Sequence, residues 1–281
     1  MRKLARPTQV VGDVFSLCIS KVRNKALRGR LNSVKSDVVA AATTYLGHAT
    51  AVTLHKFPRS ADVGGVVTRD EMVAVYTARM VPKKQPGRSV YDALIASAPR
   101  GRCPLCGVGQ VATLDHHLPK AEYPVLAVTP NNLVPACSWC QTSKKEGYPR
   151  TAQEQTLHPY FDDFEGQRWL AAVVAPSTPA AFSFLVQPPP GMNATTAARL
   201  RTHMKVFGLD RLFASNAADE LVNIRYALNK IFEVGGPEGV RDYLKQEADS
   251  REAAYRNSWQ TAMYRAAEAN DWFCDGGFAL R

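Results

Sequence analysis

Cys103-Pro-Leu-Cys106, then Thr113-Leu-Asp-His-His-Leu-Pro119, then Asn131-Asn-Leu-Val-Pro-Ala-Cys137-Ser-Trp-Cys140-Gln-Thr-Ser-Lys144: this stretch decides how the chain is read. Each CxxC turn presents two thiolates at one point. Two such turns supply the four tetrahedral sulfur ligands that Zn²⁺ favours. Cys103, Cys106, Cys137 and Cys140 are therefore candidate ligands of a structural zinc, and four thiolates leave such an ion no open position. Asp115, His116, His117 and Asn132 lie between the two pairs, a polar set that a simple staple does not need.

Outward from the cysteines, residues 111–114 form a short strand candidate that leads into Asp115-His116. A loop carries 119–130, and Leu133-Val134 can return as a second strand. Residues 138–146 have helical character, with Ser138 a candidate N-cap. The local order is strand, strand, helix.

That segment resembles an HNH endonuclease of the ββα-metal superfamily. The resemblance rests on Thr113 to Pro119, Asn132 to Cys137 and Cys140 to Lys144, and core similarity covers about 103–145. Leu157-His-Pro-Tyr-Phe-Asp162 is similar to an extension found in bacterial members with zinc knuckles. Met1-Arg-Lys-Leu-Ala-Arg-Pro-Thr8 and Gly64-Gly-Val-Val-Thr-Arg-Asp-Glu-Met72 are similar to stand-alone bacterial members.

The resemblance implies a fold and a chemistry. The fold is α+β and mostly helical, with a zinc-stabilised ββα-metal core embedded between helical N- and C-terminal regions. His116 would be the general base. Asp115 would ligate a catalytic Mg²⁺ or Mn²⁺, since hard oxygen donors suit those ions. Asn132 would fix the loop and orient the histidine. Gln141 stands where the family has His or Asn, and its longer side chain moves the amide oxygen outward. His158 could supply the missing nitrogen ligand or bind phosphate. The activity implied is hydrolysis of DNA, duplex rather than single-stranded, leaving a 5′ phosphate, with RNA left open. One active site would nick, and cleaving both strands would take a homodimer, a partner protein or two events. A role in bacterial defence or restriction fits the resemblance.

Each residue also has a plainer reading. His117 points opposite to His116 in a strand, which suits packing as well as nucleic-acid contact. Asn132 could be a turn former, Gln141 a helix-surface residue, and His158 the anchor of the turn that follows it. Lys144 and Lys145 are placed for backbone phosphates or for a solvated helix end. The runner-up functions are a catalytically weak zinc-containing nucleic-acid-binding protein and a structural zinc protein that docks another protein through its C-terminal helices.

The chain has 281 residues and a formal net charge of +10, which suggests a polyanionic partner without specifying it. Residues 1–40 hold nine Lys/Arg against two Asp/Glu, so the excess is concentrated at the start. No run of about 20 apolar residues appears, so no membrane span is expected. Residues 7–13 do not form an apolar signal core. With four cysteines in CxxC pairs, Cys18 and Cys274 point to a reduced, cytoplasmic protein rather than a disulfide scaffold.

Three regions are expected: 1–100, helical and basic; 101–162, the zinc and motif region; 163–281, mainly helical with a short hairpin. Helical spacing runs through 8–50. A capping box, Thr68-Arg-Asp-Glu71, opens a helix over 69–81. Another short helix covers 89–97. Residues 169–174 and 182–187 read as strands, 194–207 as a helix. Leu221, Ile224, Leu228, Ile231 and Phe232 form a helical stripe, which Gly235-Gly-Pro237 interrupts. Residues 238–270 form one helix or two, with Leu244 and Trp259 as core anchors.

Overall fold

The computed structural model describes residues 1–279. The chain divides into two compact units, Met1–Asp162 and Asp163–Arg281. The fold is α+β and mostly helical, with three small two-stranded antiparallel sheets among the described residues.

The first unit opens with α1 (Val11–Ile19), α2 (Lys25–Ser33) and α3 (Lys35–Thr50). The continuous pattern over 8–50 is thus cut into three helices. The Asn24 side chain starts α2 by accepting the Leu27 N–H at 3.0 Å, which satisfies a donor that a helix start would leave unpaired. Two-residue strands β1 (Asp62–Val63) and β2 (Val67–Thr68) follow, paired through a turn at Gly64-Gly65. Both glycines have positive φ, the left-handed conformation that costs glycine nothing. This ladder was not expected from the sequence. The capping box forms as expected: Thr68 accepts from Glu71 N–H, and the Glu71 carboxylate accepts from Thr68 N–H. It opens α4 (Arg69–Thr77), which ends four residues earlier than the 69–81 reading. Then comes α5 (Arg88–Ala96).

The motif region supplies β3 (Thr113–His116), β4 (Leu133–Ala136) and α6 (Ser138–Lys144). The strands are antiparallel, with Asp115 opposite Val134 and His116 opposite Leu133. Leu114, Ala127, Val128 and Leu133 share one apolar core with Val14, Phe15, Cys18, Val38, Met72 and Leu94. Residues 1–100 and 101–162 therefore share one core, and the N-terminal helices are the wall on which the hairpin rests. The first residues join in: Arg2 N–H donates to Pro104 carbonyl at 2.7 Å and Leu4 N–H to Pro159 carbonyl at 2.9 Å.

The second unit pairs β5 (Leu170–Ala175) with β6 (Ala181–Val186) along their full length. Helix α7 (Ala194–Phe207) is capped by Asn193 and stopped at Gly208 in the left-handed region. Helix α8 (Leu209–Ala254) carries the expected break at Gly236-Pro237, where Gly236 leaves helical geometry. The stretch 238–270 resolves into the second limb of α8 and a separate α9 (Trp259–Glu268), whose first turn is capped by Ser258. Leu244 and Trp259 are both buried. A short α10 (Asp271–Cys274) closes the unit. No helix among the described residues is long and apolar enough to cross a membrane.

Two glycines test this packing in opposite directions. A Cβ on Gly87 would lie 2.7 Å from Cys18 Sγ and 2.8 Å from the Arg79 carbonyl oxygen, whereas one on Gly29, in α2, meets nothing within 4 Å. Gly87→Ala should cost about 1–3 kcal/mol by overpacking. Gly29→Ala should stabilise by about 0.5–1 kcal/mol through helix propensity. Urea unfolding of both variants measures the contrast.

Candidate functional site

The four sulfurs of Cys103, Cys106, Cys137 and Cys140 lie within 4.8 Å of one another, and all four residues are buried. Two local turns bring them there. Cys103 N–H donates to Gly109 carbonyl at 2.8 Å and Gly107 N–H to Cys103 carbonyl at 2.8 Å. Gly107 has positive φ, and a Cβ on Gly109 would meet Cys137 Sγ at 2.7 Å, so both glycines suit the first knuckle. The second knuckle is the N-terminus of α6, where the Cys137 sulfur accepts the Cys140 N–H.

Cys106 Sγ and Cys137 Sγ are 3.8 Å apart, and no disulfide forms. Tetrahedral zinc with Zn–S of about 2.3 Å requires an S···S edge of about 3.8 Å. The cluster could therefore hold zinc with little rearrangement. Thiols this close do not ionise independently. Hydrogen bonds from Cys103, Cys137 and Cys140 hold the Cys106 thiol low, and those shared with its three neighbours drive Cys140 up. A cation at the centre removes that conflict by stabilising all four thiolates.

The clamp positions β3, and the end of β3 opens onto a cavity of about 570 Å³. Asp115, His116, Lys120, Gln141 and Lys145 line it, with Tyr76 and Tyr91 from the helical wall. His116 Nε2 lies 2.8 Å from the Ala127 carbonyl oxygen. A carbonyl only accepts, so Nε2 carries the proton and the lone pair is on Nδ1. The Tyr76 ring sits edge-on to the imidazole, centroids 4.4 Å apart, and is itself tied by its hydroxyl to Leu114 carbonyl. Burial, reinforced by Lys120, pulls the His116 pKa from its ordinary 6.5 down to about 3, although the Ala127 carbonyl opposes the shift.

Asp115 is buried, and burial raises its pKa, with Lys144 opposing. The Lys144 ammonium is 3.0 Å from Asp115 Oδ2 and 2.5 Å from the His116 carbonyl oxygen. Lys144 is thus not the exposed phosphate contact expected. Helix α6 ends at Lys144, Lys145 turns away at positive φ, and the Lys144 side chain runs inward. Lys145 stays exposed at the cavity edge. Gln141, exposed on α6, reaches the same cavity. Asp115 carboxylate and Gln141 amide oxygen are hard donors. Mg²⁺ and Mn²⁺ prefer donors of this type.

Asn132 is fully buried away from the cavity. Its Oδ1 accepts the Leu118 N–H at 2.8 Å, and its Nδ2 donates to the Leu118 carbonyl at 3.0 Å. It stitches the loop that follows β3. His117 and His158 do not line the cavity. Strand alternation sends His117 to the opposite face, where its ring lies 4.1 Å from that of His158. His158 Nδ1 accepts the Tyr160 N–H at 3.3 Å, so Nε2 donates to the Tyr45 hydroxyl at 2.9 Å. His158 N–H bonds the Asp162 carboxylate at 2.7 Å. This histidine anchors the turn over 158–162, and neither it nor His117, expected as ligand or phosphate contacts, lines the cavity that holds Asp115 and His116. Lys120, Tyr76 and Tyr91 were missed. Lys120 follows the Leu118-Pro119 turn and could have been suspected; the tyrosines reach the site only through tertiary packing.

No protein-family model matches the chain, and no solved structure matches it. The chain is similar to protein ea31 of Escherichia phage lambda, 28% identical over 228 residues, a span of 75% of this chain and 76% of that protein.

Metal analysis should find about one zinc per chain. Cys106→Ser and Cys140→Ser should each lower zinc to background and broaden the thermal transition of the protein, since a removed thiolate leaves an incomplete tetrahedron. Stoichiometric zinc in either variant would contradict the assignment.

Proposed function

We propose that the chain is a phosphodiester hydrolase that nicks DNA, with His116 as general base. The observation that carries this reading is the bond from His116 Nε2 to Ala127 carbonyl. It fixes the tautomer and leaves Nδ1 as the basic nitrogen of a cavity-lining ring packed edge-on against Tyr76. The strand–strand–helix element with its four cysteines, and the resemblance of those residues to HNH endonucleases, supply the reaction class.

Hydrolysis needs a base for water, charge compensation on the phosphoryl oxygens and support for the leaving oxygen. Neutral His116 Nδ1 takes the proton from water. Lys120 and Lys145, both on the cavity wall, neutralise the phosphate that enters. That phosphate in turn offsets the cations that depress His116 and raises its proton affinity at the moment of use. Asp115 and Gln141 would hold a catalytic Mg²⁺ or Mn²⁺, which when bound acts as a Lewis acid on the phosphoryl and leaving oxygens. Lys144 opposes the burial that raises the Asp115 pKa and holds the strand end through the His116 carbonyl. One cavity per chain cuts one strand.

The ion pair between Lys144 and Asp115 favours a second reading, a protein that binds nucleic acid without turnover. Supercoiled plasmid with Mg²⁺ or Mn²⁺ separates the two. The nuclease reading expects nicking that falls about 10²–10⁴-fold in His116→Ala while zinc content and unfolding midpoint stay unchanged. DNA binding with no nicking under either ion supports the second reading instead.

The pH profile adds a sign. The base works deprotonated, and its pKa is depressed, so kcat/KM should remain flat as pH falls through 6.5 and drop only well below it. An acid limb centred near 6.5 would mean that the histidine doing the chemistry is not this buried one.

A further inference from the structure

We infer a second polyanion site: a basic groove, between the start of α2 and the turn after α4, that holds the phosphodiester backbone of the nucleic acid. The identity of the polyanion rests on the nuclease reading; the groove rests on its own residues. Its volume is about 700 Å³, and Lys21, Arg23, Lys25, Arg28 and Arg79 line it with no Asp or Glu among the lining residues. None of these five forms an ion pair among the described residues.

Neighbouring cations behave differently. Arg30, also on α2, is paired with Glu71, and Arg88 with Asp92 at 2.8 Å. Where this region uses a cation for structure, it supplies a counter-charge. In the groove it supplies none, so five like charges are held together at an electrostatic cost that a polyanion relieves while releasing counterions. Gln85 also lines the groove, and its side-chain oxygen is buried without a hydrogen-bond partner. Its amide N–H₂ is a donor of the kind a phosphate oxygen accepts.

The groove and the candidate cavity draw on the same stretch of chain. Tyr76, Thr77 and Val81 line the cavity, whereas Arg79 and Gln85 line the groove. One segment, 76–85, therefore contributes residues to both cationic depressions. A membrane surface fits less well. The groove is concave, and no exposed large apolar side chain lines it, whereas a bilayer-docking face presents such residues.

The test is the salt dependence of binding to a labelled 24-base-pair duplex, read by fluorescence anisotropy in EDTA-free buffer without Mg²⁺. Lys25→Gln/Arg28→Gln should weaken binding on the order of tenfold near 150 mM salt and reduce the slope of log K against log[salt] by about 2. The charge-matched control Lys230→Gln/Lys245→Gln should leave the slope unchanged. An unchanged slope in the groove variant, or equal losses in both, overturns the proposal. So does a groove variant that loses sedimentation with phosphatidylserine vesicles while binding duplex normally. The outcome is independent of turnover. A slope that falls in a protein that never nicks keeps the groove and sinks the nuclease reading. Nicking with a groove-insensitive slope does the reverse.

Discussion

Four buried thiols within 4.8 Å of one another impose the constraint on which the first unit depends. Left without a cation, they compete for ionisation. With one, they lock two chain turns together, one just before β3 and one just after β4. That closure fixes the antiparallel register of Asp115 against Val134 and His116 against Leu133. A one-residue slip would exchange His116 with His117 across the faces of the hairpin. The cysteines contribute nothing to the cavity chemistry, yet they decide which histidine faces it.

Around that clamp, burial does most of the electrostatic tuning. His116 is kept neutral because its charged form is desolvated and faces Lys120. Asp115 is kept usable because Lys144 offsets the desolvation that raises its pKa. Buried ions of this kind persist only when paired, which explains why Lys144 turns inward and leaves Lys145 to meet solvent. The helical wall matters for the same reason. Tyr76 packs edge-on against the imidazole and bonds the Leu114 carbonyl, so the N-terminal helices set the environment of a strand they are distant from in sequence.

Much of this was legible in the residues. The paired CxxC turns announced the cluster, the capping box at Thr68 announced α4, and Gly236-Pro237 announced the break in α8. The β1–β2 ladder was not legible, because two-residue strands carry no periodicity. Nor was the inward path of Lys144: a lysine at a helix end reads as solvated until its buried acid is known. His158 shows the opposite failure. Its ring stacks on His117 on the face away from the cavity, and its two ring nitrogens are spent on Tyr45 and Tyr160. Tyr76 and Tyr91 could be found only once the helices were packed on the hairpin.

The proposed base, His116, is a buried imidazole with a lowered pKa whose Nε2 proton is held by the Ala127 carbonyl. Long-range ¹⁵N NMR of the histidine side chains measures this directly. The expected result is a protonated Nε2 and a bare Nδ1 on His116, unchanged between pH 8 and about 5. A His116 ring that titrates near 6.5, or that carries its proton on Nδ1, would contradict the account.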